Sequence, residues 1–178
     1  MTRKLYVVAN RNNKSSFVEE GEAPSNAFTA VPGFDPAVIW GTSANPSTNW
    51  DGRKVFDKPT VMSEVGGTRL WVVTFPPDSV MAAPGFDPQA AGAEYGKRLP
   101  GLAERFELEN PGMHTTDTVD YDIVIEGEIT LEVDGGQTRL LKQGDIAVQY
   151  GARHAWRNQS SEPATLIFVL VGATRSNA

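Results

Sequence analysis

From Val119 onward the chain alternates apolar and polar residues with a period of two, the pattern of strands that bury one face. Val119 to Glu126 and Glu128 to Val133 read as such strands, and Asp134-Gly135-Gly136 closes a tight hairpin into Gln137 to Leu141. Ile146 to Tyr150 and Thr165 to Val171 supply further strands, with turns at Gly144-Asp145 and at Ser160 to Glu162. Upstream, Thr68 to Phe75 is a strong strand that stops at Pro76-Pro77, because proline offers no N–H to a ladder. Leu5 to Ala9 and Ser16 to Glu19 flank the Asn-rich Asn10 to Lys14 and predict an N-terminal hairpin. Many short strands joined by Gly-rich turns indicate an antiparallel sandwich or barrel.

Two stretches break this pattern. Gly21 to Pro59 is punctuated by Pro24, Pro32, Pro36, Pro46 and Pro59 and reads as an extended arm with one strand, Ala37 to Trp40. Such an arm has too little core of its own and wraps either its own barrel or a partner subunit. Pro88 to Phe106 is the one helical stretch. Asp87 is placed to cap it with Pro88 at the first position, and Leu99, Leu102 and Phe106 share a face. Gly92, Gly96, Pro100 and Gly101 weaken it, which predicts two short pieces, either a lid or a connection packed outside the barrel.

Composition narrows the classes. A chain of 178 residues suffices for one domain with a full core. Net charge −6 with scattered Lys and Arg argues against a nucleic-acid partner. There is no cysteine, which excludes disulfides, thiolate ligands and a Cys nucleophile and is compatible with a reducing cytoplasm. The N-terminal apolar run is too short for a signal peptide and no run reaches membrane-spanning length, so the expectation is a cytoplasmic protein without a membrane partner.

The candidate chemistry lies in two segments, Gly112 to Gly127 and Gly144 to Asn158, each holding one of the two histidines, His114 and His154. Residues two apart on a strand face the same way. Asp120, Asp122 and Val124 therefore share a face, as do His114 with Thr116, and His154 with Trp156 and Asn158. If His114, Asp120 and His154 point into one cavity, they supply two imidazoles and a carboxylate, the facial set of non-haem iron that also suits Zn, Mn or Ni. Asp122 would lie beside them as a proton acceptor or outer-shell partner. The alternatives are structural: histidines hydrogen-bonded in a core, Asp120 as a turn residue, Asp122 in solvent. Met113 and Trp156 read as pocket wall or core, Trp40, Trp71 and Phe75 as core, and Gly127, Gly144 and Gly151 as turn glycines. Alternation sets Arg153 and Arg157 opposite His154, where they would make surface or subunit contacts rather than clamp a substrate.

His114-x-Thr116-x-x-x-Asp120, Gly127, Gly144-Asp145, Gly151-x-x-His154 and Asn158 resemble, over about residues 110 to 172, the two signature motifs of the cupin superfamily. The family pattern is His-x-His, a Glu and a Gly, then Gly-Asp, Pro-x-Gly, His and Asn. Thr116 stands at the second His, Asp120 at the Glu, and the Pro has no clear counterpart. The chain also resembles small single-domain bacterial and fungal cupins that carry Met-His-Thr-x-Asp-Thr-Val-Asp-Tyr and His-Ala-Trp-x-Asn, many of them among pathway enzymes for small organic molecules.

The resemblance implies an all-β cupin jelly-roll barrel (an antiparallel double-stranded β-helix) with an N-terminal arm and one short helical segment. Residues 1–60 would form the hairpin and arm, and residues 61–178 the barrel, with the helical insertion at about 87–107. It implies a homodimer and a small organic substrate in the barrel. The pocket would be lined by Met113, Thr116, Val124, Trp156 and Asn158. His114, Asp120 and His154 would hold one divalent metal (Fe, Zn, Mn or Ni), with Asp122 and Asp120 as catalytic carboxylates in a lyase, decarboxylase or isomerase reaction. The alternatives are an Fe(II)-dependent dioxygenase on the same three residues and a non-catalytic, metal-free binding cupin. Metal-free cupin epimerases use a His base and a Tyr acid, for which Tyr121 and Tyr150 are candidates only if they turn inward. Alternation points Tyr121 outward.

Overall fold

The computed structural model describes residues 3–50, 52 and 60–176. The last part of the Pro-rich arm, with Pro59, lies outside the described residues. Strands β1 (Lys4–Arg11) and β2 (Lys14–Glu22) form the N-terminal hairpin, a two-stranded sheet separate from the others. Its turn places Asn12 and Asn13 at φ 52° and 62°, a left-handed pair that a two-residue hairpin requires and asparagine tolerates.

The rest is a sandwich of two antiparallel sheets. One holds β3 (Asp35–Thr42), β4 (Thr68–Phe75), β10 (Ala164–Gly172), β5 (Thr118–Glu126) and β8 (Ile146–Tyr150), in that order. The other holds β7 (Gln137–Lys142), β6 (Glu128–Val133) and β9 (His154–Arg157). The arm thus contributes an edge strand of the larger sheet. β9 begins at His154, in a stretch with no separate strand expectation.

The inward face follows from alternation. Thr118, Asp120, Asp122 and Val124 of β5 are buried, while Tyr121 between them is exposed. On β10, Ala164, Leu166, Phe168 and Leu170 face in and pack with Trp71 and Val73 of β4 and with Ile129 and Leu141 of the smaller sheet. Fully burying side chains of this kind contributes about 1.5–3 kcal/mol each. At the β5–β6 corner Gly127 has φ 76°, and a Cβ there would meet the Pro163 carbonyl oxygen at 2.7 Å. Only glycine fits that corner without displacing backbone.

The helical stretch is in two pieces, as its glycines predict. Helix α1 (Pro88–Arg98) has Pro at its first turn and Asp87 as its cap, whose Oδ1 accepts from the N–H of Gln89 at 2.9 Å and of Ala90 at 3.1 Å. Beyond Leu99 a 3-10 turn, Ala103–Arg105, leads to Phe106. Leu99, 1% exposed, anchors this excursion to the core, and the Tyr95 ring packs against Phe28, Phe34 and Phe106.

Candidate functional site

His114 and His154 are brought together by backbone pairing. His114 forms a short bridge to the start of β9, its N–H donating to the His154 carbonyl at 2.9 Å and its carbonyl accepting from the His154 N–H at 3.0 Å. Directly opposed residues share a face, and the two rings meet with centroids 4.3 Å apart. Each Nδ1 lies on a carbonyl oxygen, Gly112 at 3.1 Å for His114 and Ala152 at 2.9 Å for His154. A carbonyl can only accept, so Nδ1 carries the hydrogen and each Nε2 presents a bare lone pair. Burial, and secondarily the neighbouring His154, pushes His114 down to about 4. Burial lowers His154 as well. Both imidazoles are neutral at pH 7.

The segment carrying His114 is strapped down by two arginines. Arg153 donates from Nε and Nη2 to the Glu107 carboxylate, both at 2.6 Å, and from Nη1 to Asp134 at 2.7 Å. Arg157 donates from Nε to Glu132 at 2.8 Å and from Nη1 to the Pro111 carbonyl at 2.6 Å. Gly112, at φ 85°, leaves room for that guanidinium, since a Cβ would meet Nη1 at 2.7 Å. The arginines therefore lie outside the pocket, as alternation predicts, and they fix the loop from Glu107 to His114.

Across the sandwich, Asp120 and Asp122 project inward from β5. In the strand register Asp120 lies opposite Gln149 on β8, and Asp122 lies opposite Phe168 on β10. Gln149 donates from Nε2 to Asp122 Oδ2 at 2.8 Å. Asp120 Oδ1, Asp122 Oδ1 and Gln149 Oε1 are buried with no hydrogen-bond partner. Burial raises Asp120 to about 6, against the opposing Thr118 hydroxyl. Burial raises Asp122 to about 7, opposed by the Gln149 amide and reinforced by the Asp120 charge.

The expected metal set is not assembled. Among the described residues no three His, Asp or Glu side chains gather in a group that could hold a metal ion. The two imidazoles converge because a backbone pair places them, but Asp120 belongs to the opposite sheet and does not join them. As they stand, these donors do not fit the three-ligand pattern. Tyr121 and Tyr150 both point outward, at 45% and 79% exposed, so neither is placed to act as an interior acid.

Of the expected pocket residues, Trp156 lies between His154 and Phe168, with ring centroids at 6.1 and 5.5 Å. Met113 and Val124 are buried core. Thr116 is buried and its hydroxyl bonds that of Thr118 at 2.7 Å. Asn158 is a corner clamp instead of pocket wall. Its amide donates to the Phe75 and Glu162 carbonyls and its Oδ1 accepts from Ser160, bonds that pin the loop after β9.

Several residues escaped the sequence reading. The ring contacts run in a closed circuit from His154 through Trp156, Phe168, Phe75, Phe34, Tyr95, Phe106 and His114 back to His154. Gln149 was legible in principle. Ile146, Val148 and Tyr150 outward leave it an inward polar position on β8.

Residues 108–170 match the family model described as the cupin domain. Over residues 108–170 the chain carries a cupin domain. It is 60% identical over 64 residues to the oryzines biosynthesis cluster protein J of Aspergillus oryzae, covering 34% of this chain and 36% of that one. It is 40% identical over 62 residues to the cupin-domain-containing oxidoreductase virC of Hypocrea virens, covering 33% and 32%. The matched part therefore spans about a third of the length of these curated relatives. Among solved structures it is similar to a cupin 2 conserved barrel domain protein from Salinispora arenicola, with TM-score 0.43, 15% identity, and coverage of 79% of this chain and 76% of that one. In the matched region the two segments carry the facing histidines and the two inward aspartates. Its family slot for a second histidine holds Thr116, already occupied with Thr118.

Proposed function

We propose that this cupin is an enzyme of small-organic-molecule metabolism that transfers protons on a substrate held inside the barrel, in a lyase, decarboxylase or isomerase type of reaction. The observation that carries this is the pair of buried carboxyls, Asp120 and Asp122. Each has an oxygen no protein donor reaches, and the two sit two residues apart on one inward face. A carboxyl whose proton affinity is raised toward neutrality can both give and take a proton at working pH, a contribution of about 10²- to 10⁴-fold in rate. Asp122 is the proton-transfer group. Asp120 raises its proton affinity, and Gln149 holds its other oxygen. The neutral His114 and His154 present Nε2 acceptors from the opposite wall. No step is routed through a metal.

The test is incubation in deuterated water with a panel of hydroxy and keto compounds, read by mass spectrometry. Wild type should introduce deuterium into at least one compound and Asp122→Asn should lose this by about 100-fold. Wild-type exchange unaffected by Asp122→Asn would sink the assignment.

An oxidoreductase, including an Fe(II)-dependent dioxygenase, is the second reading. The oxidoreductase name of the Hypocrea virens relative and the two convergent imidazoles favour it. Oxygen uptake after reconstitution with Fe(II), absent in His154→Ala, would favour it over proton transfer.

A homodimer accompanies this proposal. On the outer face of the larger sheet, Tyr150, Val148 and Ile146 of edge strand β8 stand beside Val119, Tyr121 and Ile123 of β5. That row continues into Val171, Val169 and Ile167 of β10, an apolar face of the kind that marks an interface. The separate hairpin also exposes Tyr6 and Phe17, and a lone two-stranded ribbon is marginal without a surface to lie on. A second copy supplies both. No helix among the described residues is long and apolar enough to cross a membrane. A cytoplasmic location goes with this reading, and the absence of cysteine is compatible with it.

A further inference from the structure

The polar atoms left without partners inside the barrel are unbalanced. Asp120 Oδ1, Asp122 Oδ1 and Gln149 Oε1 are three adjoining oxygens on β5 and β8, all of them acceptors once the two aspartates are ionised. The orientation of Gln149 is fixed because Asp122 Oδ2 accepts from its Nε2, which leaves Oε1 facing out of that bond. Among the described residues the unpartnered buried donors on this sheet face are Trp71 Nε1 and Arg69 Nε, both on β4. Arg69 is turned away toward β3, where a Cβ on Gly41 would meet its Nη1 at 2.9 Å, and the charge acting on it is that of Glu64. It therefore does not answer the aspartates. Buried acceptors without donors cost about 1–3 kcal/mol each, so the site favours an occupant that brings donors.

The surroundings of the acceptors are flat rings. Phe168 lies directly opposite Asp122 and packs edge-on to Trp156. Trp156 leads to His154, and Phe106 lies against His114 with centroids 4.6 Å apart. Trp156, Phe106 and His114 keep partial exposure. Aromatic faces and edges select planar partners, by about 0.5–1.5 kcal/mol per ring pair beyond area burial.

We propose that the barrel interior binds a planar ring compound bearing hydrogen-bond donors, a phenol, catechol or arylamine, and discriminates against ring carboxylates. The proposal rests on the reading that the substrate sits inside the barrel beside Asp120 and Asp122. The ring lies along Phe168 and Trp156, and its hydroxyl or amino hydrogens go to the three free acceptors. A carboxylate brings only acceptors and a like charge to that wall.

The test is titration calorimetry, with tryptophan fluorescence as a second signal, using three probes on the full chain: catechol, benzoate and cis-cyclohexane-1,2-diol. Catechol should bind at least about tenfold tighter than either of the others. Benzoate lacks the donors and the diol lacks the plane. Asp122→Asn puts a donor where an acceptor stood and should narrow the preference for catechol over benzoate by about tenfold. Gln149→Met, which removes another acceptor, should act the same way if the first variant does not fold. Benzoate or the diol binding as tightly as catechol overturns the proposal, and so does the absence of binding by all three. Selective catechol binding without deuterium uptake in any compound would remove the proton-transfer reading and keep the ligand class. Deuterium uptake confined to non-aromatic carboxylates would do the reverse.

Discussion

Replacing Asp122 by asparagine should stabilise the protein above neutrality, and the size of the effect follows from its burial. The side chain is fully buried, and its proton affinity is raised from 3.8 to about 7, with desolvation as the largest cause. Between those values the folded state keeps a proton that the unfolded chain has released. Stability is therefore full below the unfolded value, falls as pH rises through the window, and levels off above about 7. A difference of about three units at ~1.36 kcal/mol each amounts to about 4 kcal/mol at pH 8. Asparagine keeps the shape and can still accept from Gln149, but the bond is no longer charge-assisted, which returns about 1 kcal/mol. The net gain at pH 8 is about 3 kcal/mol, or about 6–12 °C in melting temperature for a chain of this size. At pH 4 the variant and wild type should melt within a few degrees of each other. The assay is thermal unfolding by circular dichroism at intervals from pH 4 to 8, plotted as variant minus wild type. That difference cancels the contribution of the histidines. A flat difference curve, or an Asp122→Asn protein less stable than wild type at pH 8, would refute the claim that a costly buried carboxylate sits there.

The histidines give the opposite slope. His114 is held neutral down to about 4 in the folded state, so its contribution to stability should rise with pH between about 4 and 6.5, and in the same melts His114→Asn should remove that share of the rise and leave the part due to His154. Arg153→Ala should release the loop from Glu107 to His114, read as faster amide exchange at residues 107–114 with β10 unchanged, because its bonds to Glu107 and Asp134 join that loop to the β6–β7 turn. Val148→Asp with Tyr150→Ser on the exposed face of β8 should convert the proposed dimer to a monomer by light scattering without a loss of secondary structure. Gly127→Ala should cost about 2 kcal/mol or more in denaturant unfolding, since the residue combines a left-handed backbone with a carbonyl at 2.7 Å from the added carbon.

The sequence by itself determined most of the strands. Thr68 to Phe75, Glu128 to Val133 and Ile146 to Tyr150 coincide with β4, β6 and β8, because a strand with one buried face records its orientation in every second residue. The same local logic put Asp120 and Asp122 on one face with Val124, pointed Tyr121 outward and set Arg153 apart from His154, but it left open whether the aspartates faced the interior or solvent. The Asp87 cap was equally local, since it involves atoms only two and three residues away. What the sequence could not decide was which inward faces meet. The spacing of His114, Asp120 and His154 is compatible with a shared cavity. Only the pairing of His114 with β9, on the sheet opposite β5, shows that the imidazoles converge without the carboxylate. The aspartate partner is a second such case. Gln149 is 27 residues from Asp122 and comes to it only through the β5–β8 register. The ring circuit joins residues from Phe34 to Phe168, separations that no period along the chain encodes. Alternation specifies the face of each strand, whereas sheet order and register choose its neighbours, and the candidate chemistry is a property of those neighbours.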